Sequence, residues 1–351
     1  MRRTRLTYWR AGLAASTCLA LSGCNSLGYY AQAAHGQFSL LAQARPITEW
    51  LQDPATSPRL HSQLELVQNI RQFSIRTLAL PDNGSYRSYA QLTRPFVVWN
   101  VVAAPALSLD ARQWCFPIAG CVNYRGYYDQ KEAQAYADGL AQAGDDVQVL
   151  GVPAYSTLGW FNDPVLSTFI NYPAGEVARL IFHELAHQVA YAKDDSQFNE
   201  SFATAVEELG LERWLAAHGD PALNQAYQRF AERKKEFLAL LLKYRAQLQA
   251  NYQGAGSDQE KLRRKAEIFA ALRSEYQERK AVWGGFAGYD RWFAGTLSNA
   301  HLALVATYNE RVPAFKALFA RSRDFSDFYR QVKVLAKQSK EARSAALDDL
   351  Q

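Results

Sequence analysis

Two histidines four positions apart, with a glutamate directly after the first, stand at His183, Glu184 and His187. A helix turns about every 3.6 residues, so positions four apart share a face. Both imidazoles of His183-Glu184-Leu185-Ala186-His187 then point toward one ion, with the Glu184 carboxylate beside it. This H-E-x-x-H spacing is that of a zinc hydrolase, and the chemistry it supports is hydrolysis of a peptide bond by an activated water, with Glu184 as general base. The flanking residues Val177, Leu180, Ile181, Leu185, Ala186 and Val189 are apolar, which predicts a buried helix over Ala174–Ala192. Two core histidines with satisfied hydrogen bonds are the plain alternative, but buried polar groups need partners or an ion.

Zn²⁺ bound for catalysis takes a third protein ligand and keeps a position for water, and His-His-Glu is one such set. Asp194-Asp195-Ser196 reads as a turn and helix start, followed by a returning antiparallel helix over Asn199–Leu215. Glu200 lies in its first turns, with Thr204 on the same face, and is the preferred third ligand. Glu207 or Glu208 is next; either suits a solvated helix face as well.

Asn199-Glu200-Ser201-Phe202-Ala203-Thr204 resembles the glutamate-bearing helix of the gluzincins, the thermolysin and membrane-alanyl-aminopeptidase type. The wider chain resembles a bacterial lipoprotein family of predicted zinc aminopeptidases, through Cys115–Tyr128, Tyr155–Thr168, His183–Thr204 and Tyr289–Phe315. The resemblance implies a zincin-like core and removal of N-terminal residues from a peptide or protein substrate. It also implies a His or Tyr that meets the charge developing on the scissile carbonyl. The candidates for that donor are His301, Tyr308 and Tyr155. One feature is missing. The alanyl-aminopeptidase type grips the substrate ammonium with a Gly-x-Met-x-Asn strand, and the single methionine here is Met1. Glu176, Asp163 and Glu207 remain as possible anions for that ammonium. An envelope endopeptidase with an open cleft is the alternative; a metal-binding or structural lipoprotein without turnover is a further one.

The elements that must position these groups are mostly helical, and the fold expected is α+β, predominantly helical: a zincin-like core with an active-site helix, a returning glutamate helix and a long helical hairpin. Helices are expected over 61–79 and near Lys131–Ala141, and buried strands over Phe96–Ala103 and Val147–Val152. Tyr155–Phe161, just ahead of the zinc helix, is either a substrate-pairing edge strand or a surface hairpin. The stretches Pro221–Asn251 and Gln259–Ala281 form an αα-hairpin around the Gly254–Asp258 break. The aromatic run Trp283–Phe293 follows, then residues 296–315 packed on the zinc core, one helical stretch over 316–336 and a charged tail that frays from Lys337. In domain terms this gives a signal peptide over 1–23, a lipid-proximal helix and linker over 24–60, the α+β catalytic core over 61–220 and a helical region over 221–351.

The first residues say where the chain works. Arg2, Arg3, Arg5 and Arg10 precede a short apolar run from Ala11 to Leu21, too short to span a bilayer and shaped as an export signal. Leu21-Ser22-Gly23-Cys24 resembles the bacterial lipoprotein processing box, which implies cleavage before Cys24 and lipid on its sulfur. Asn25 gives a mild preference for the outer membrane, on its periplasmic side. Export also permits a disulfide between Cys115 and Cys121, which enclose Phe116–Gly120; a pair of buried thiols is the alternative. The formal charge is +5 over 351 residues, and four of those positive charges sit in the signal. The remainder is near neutral with its signs interspersed, so nucleic-acid binding has no support. Replacing Cys24 by Ala is expected to abolish metabolic lipid labelling of the expressed protein; labelling that persists would rule out the anchor.

Overall fold

The computed structural model describes residues 27–350, Ile118 excepted. The export signal and Cys24 lie outside the described residues. The fold is α+β and predominantly helical. After a helix over 27–43 (α1), the elements run β1 (Arg45–Pro46), α2 (Ile47–Gln52), α3 (Pro58–Arg76), β2 (Ser88–Ala90), β3 (Val98–Pro105), β4 (Trp114–Phe116), β5 (Gly120–Val122), β6 (Arg125–Tyr127), α4 (Gln130–Gln142), β7 (Asp145–Val152) and β8 (Val165–Leu166). Then follow α5 (Ala174–His187), α6 (Ser196–His218), α7 (Pro221–Gln253), α8 (Asp258–Val282), α9 (Asn299–Asn309), α10 (Val312–Ala320), α11 (Phe325–Ala336) and α12 (Lys340–Asp348).

The motif helix α5 is buried because its apolar positions cover most of its circumference. Val177, Ala178, Leu180, Ile181, Phe182, Leu185 and Ala186 are all in the main core. Each large one stabilises by roughly 1.5–3 kcal/mol relative to exposure. Its closest neighbour is α6, and Gly210 lets the two approach. A Cβ there would meet Leu78 at 2.7 Å and Phe182 at 3.0 Å. The pair is antiparallel, since Glu200 early in α6 faces the end of α5 while Glu207 faces Arg179 and His183 further back.

The turn between them is fixed by polar contacts, which end α5 at His187 rather than at Ala192. The Asn199 carboxamide accepts from Ala192 N at 2.7 Å and donates to Ala192 O at 2.8 Å. Asp194 takes a left-handed backbone (φ 65°) and accepts from Cys121 N at 2.7 Å. Asp195 is the N-cap of α6, accepting from Phe198 N. Arg343 of α12 grips the same carboxylate at 2.9 Å, with both side chains buried. The tail expected to fray is therefore a capped helix docked on the core, with Ser339 as its N-cap. A charged sequence concealed this because only one of its cations turns inward.

Three small sheets surround this pair. In the largest, β3 lies between antiparallel partners β6 and β7, and Trp99, Val101, Tyr127, Ala133 and Ala137 form the core under α4. Strand β2 joins β1 antiparallel and β8 parallel. Tyr155–Phe161 is neither a strand nor a hairpin arm. Leu158 and Gly159 both have positive φ (56° and 82°), and Thr157 bonds Phe161 and Asp163 through its side chain. Such local bonds compete with a sheet ladder.

The hairpin α7–α8 has its own core of Leu240, Leu241, Tyr244, Leu248, Ile268, Phe269, Leu272 and Tyr276. A capping box at Ser257 and Glu260 starts its second arm. The aromatic run packs here as core, with Tyr276 stacked on Phe293 and Phe237 on Tyr289, each at 3.9 Å. Two corrections concern the ends of the fold. The helix expected near the start of 26–50 is present, but the linker expected with it is not, since Leu40 and Ile47 are buried in the main core. The stretch 316–336 is two helices, because Asp324 caps a new one. Removing one partner of a buried ion pair leaves the other charge stranded. Arg343→Ala is therefore expected to lower stability by about 3 kcal/mol, read as a fall in the denaturation midpoint; an unchanged midpoint would exclude the clamp.

Candidate active site

The last turn of α5 and the start of α6 bring three donors together. His183 Nε2 and His187 Nε2 are 3.2 Å apart. Glu200 Oε2 lies 3.3 Å from the first and 3.6 Å from the second. All three side chains are largely buried, at 13 % or less exposed. His183, His187 and Glu200 form a group whose donor atoms fall within 4.8 Å of one another and could hold a metal ion. Of the next candidates, Glu208 points instead to Lys316 at 2.6 Å.

Glu207 does something the sequence did not reveal. Its carboxylate accepts from His183 Nδ1 at 2.9 Å and from Arg179 at 2.8 Å. Arg179 also bonds Glu176 at 3.0 Å. Arg179 lies four residues before His183, and Glu207 two turns after Glu200, so helical spacing was the available signal. A carboxylate on the far ring nitrogen fixes the tautomer and leaves Nε2 facing the other donors.

The charges here are set by mutual burial. Burial opposes charge on His183, but Glu200 and Glu207 outweigh it and lift the imidazole to about 10. Burial likewise opposes charge on Glu200, while His187 and His183 prevail and hold it at about 2. Glu207 is held low in the same way, with Arg179 as its main counter-charge. Glu184 differs: burial raises its pKa, only partly offset by His183 and His187. It is a carboxyl group with a strengthened hold on a proton.

These groups open on a cavity of about 600 Å³. Glu184, Tyr155 and Tyr308 all line it. His301 does not. It sits in the first turn of α9, where its Nδ1 accepts from Ser298 and its ring lies edge-on to Trp292 at 5.5 Å; burial lowers it to about 4. Tyr308 is seven residues on, roughly 10 Å along the helix, and that end reaches the cavity. The Tyr155 hydroxyl is engaged by Tyr128 and Gln37. Tyr124, which no motif singled out, shares the wall with Tyr308. Burial pushes both phenols up, with the charges of Glu200 and Glu184 adding to it.

The other walls come from segments distant in sequence. Tyr29 and Ala33 of α1 line the cavity, as do Phe116 and Val122 of the β4–β5 hairpin. Cys115 and Cys121 are disulfide-bonded across that hairpin. None of the three anions considered for a substrate ammonium is uncommitted. Glu176 and Glu207 serve Arg179, and Asp163 accepts from Thr157 and Gln188.

The family described as “Putative aminopeptidase” matches residues 28–347, and the chain belongs to it. The match takes in both helices of the site, the sheet and the hairpin. No curated protein and no solved structure matches the chain.

The electrostatics predict the titration of the ion-free protein. His183 gains its proton more readily folded than unfolded. Its contribution to stability is then complete below about 6.5 and is lost as pH rises through about 10. The depressed Glu200 contributes above the ordinary carboxyl value of 4.5 and ceases to as pH falls through about 2. NMR of the ion-free protein is expected to show His183 as an imidazolium at pH 8. A midpoint near 6.5 would contradict the arrangement.

Proposed function

We propose that this member of the aminopeptidase family is a zinc-dependent peptidase, with His183, His187 and Glu200 as metal ligands and Glu184 as general base. The observation that carries the reading is the spacing of the three donors. A tetrahedral ion with bonds of about 2.0–2.2 Å separates its donors by roughly 3.3–3.6 Å, and the separations here are 3.2, 3.3 and 3.6 Å. The Glu207 carboxylate on His183 is the support such a ligand commonly has. Bound zinc would supply a Lewis acid and a means of acidifying water.

The chain's own groups account for the proton movements. Glu184 lines the cavity directly beside the ligand set, and burial makes its carboxylate more basic. It takes the proton of the attacking water and delivers one to the leaving nitrogen, which converts a poor leaving group into an amine. Tyr308 keeps its proton at neutral pH because burial raises its pKa, so it donates a hydrogen bond to the carbonyl oxygen as negative charge develops there. Losing such a donor costs about 3 kcal/mol in the transition state. The leader and Cys24 support a lipid-anchored enzyme on the periplasmic face of the bacterial envelope, with the outer membrane favoured by Asn25.

Purified protein is expected to carry one zinc per chain and to remove N-terminal residues from peptides. Glu184→Gln should keep the metal and lose about 10²–10⁴-fold in kcat. Glu207→Ala should weaken zinc binding about 10–100-fold. Full turnover by Glu184→Gln, or metal content unaffected by the loss of His183, would defeat the assignment.

A further inference from the structure

The carboxylates lining the cavity among the described residues are Glu184, Glu200 and Glu207. All three are committed, to base, donor set and His183 respectively, so no acid remains to hold a substrate ammonium. The cavity instead has two cations at one edge. Arg179, one turn before His183 on α5, and Lys234 on α7 both line it. Arg179 hydrogen-bonds Glu176 and Glu207. Lys234 is only loosely paired. Its ammonium stands 3.5 Å from Glu207 and 3.5 Å from Glu208, beyond a good hydrogen bond to either, and its side chain is 34 % exposed. Glu208 is satisfied by Lys316 at 2.6 Å instead.

Past this edge lies an apolar recess of about 260 Å³, formed by Phe230, Phe237, Leu238, Leu241, Tyr289 and Val305. Arg179, Lys234 and Asn309 belong to both spaces. A cation with unused donors, followed by an apolar pocket of side-chain size, matches one end of a peptide: a free carboxylate on a residue with a large apolar side chain. The contacts of Glu207 with His183 at 2.9 Å and with the ammonium at 3.5 Å set an upper bound on the separation of Lys234 from the donor set. That is roughly the reach of one to three extended residues.

We propose that this enzyme holds short peptides, of roughly two to four residues, from their C-terminal side, with Lys234 binding the terminal carboxylate and the α7 recess taking an aromatic or large aliphatic C-terminal side chain. The proposal rests on the peptidase reading and names the substrate class of that site. It also explains how an N-terminal residue can be removed without an acid that grips the ammonium: peptide length is measured from the other end.

Calorimetry with zinc-loaded Glu184→Gln separates binding from turnover. Tripeptides ending in Phe are compared as the free acid and as the C-terminal amide, and against the same peptides ending in Ala. The free acid ending in Phe is expected to bind at least tenfold more tightly than its amide. Adding Lys234→Gln should make acid and amide equal, and Leu238→Trp should reduce the preference for Phe over Ala. Equal affinity of acid and amide for the protein with Lys234 intact overturns the proposal, as does a preference that survives Lys234→Gln. If that order of affinities holds while the wild-type protein cleaves none of the peptides, the peptidase reading fails and the binding site stands. If cleavage is efficient but blind to amidation, the reverse is true.

Discussion

One constraint governs the centre of this molecule: ionisable groups that are costly to bury are placed where they neutralise one another. Two imidazoles, two carboxylates and a guanidinium lie between α5 and α6, surrounded by Leu180, Ile181, Phe182 and Phe202. Singly, each would carry a desolvation cost of several kcal/mol. Together, Arg179 balances Glu207, Glu207 holds His183, and both imidazoles face Glu200. The close helix contact at Gly210 is what brings them within reach. Glu184 is compensated only in part by the two imidazoles, so burial prevails and raises its pKa. The same burial that organises the donor set therefore also strengthens the hold of this acid on a proton.

The rest of the fold exists to close this arrangement on several sides. Helix α1 and the disulfide-bonded β4–β5 hairpin wall the cavity opposite α7, and Tyr29 stacked on Phe116 at 5.6 Å joins those two walls. Helix α9 links the hairpin core to the cavity, with Leu302 in the first and Tyr308 lining the second. The α7–α8 hairpin also reaches the cavity, since Lys234 lines it and Phe237 lines the adjoining recess.

Helical periodicity made much of this legible. The spacing of His183 and His187, the apolar surround of α5 and the turn at Asp194-Asp195 are local marks of the donor set. The hairpin and the strands β3 and β7 were likewise read nearly in place, because buried runs and Gly-rich breaks are local signals. What the sequence withheld was partnership over long separations. His301 and Tyr308 share a helix, and only packing decides which end meets the cavity. Tyr124 lies in a short connection with no spacing to mark it. Glu207 looked like a possible ligand or a surface charge, and its bond to His183 depends on how α6 is rotated against α5. Tyr155–Phe161 reads as turn-like, and it is, but whether it also forms an edge strand or a hairpin turns on the bond between Thr157 and Asp163.

The clamp of Arg343 on Asp195 joins positions 148 residues apart. A polypeptide made N-terminus first presents His183, Glu184, His187 and Glu200 long before α12 arrives. Until then the cap of the glutamate helix is a lone buried acid. Completion of the centre is thereby tied to the final stretch of translation, and a prematurely ended chain would contain the full chemical alphabet of the site without the brace that keeps its letters in order.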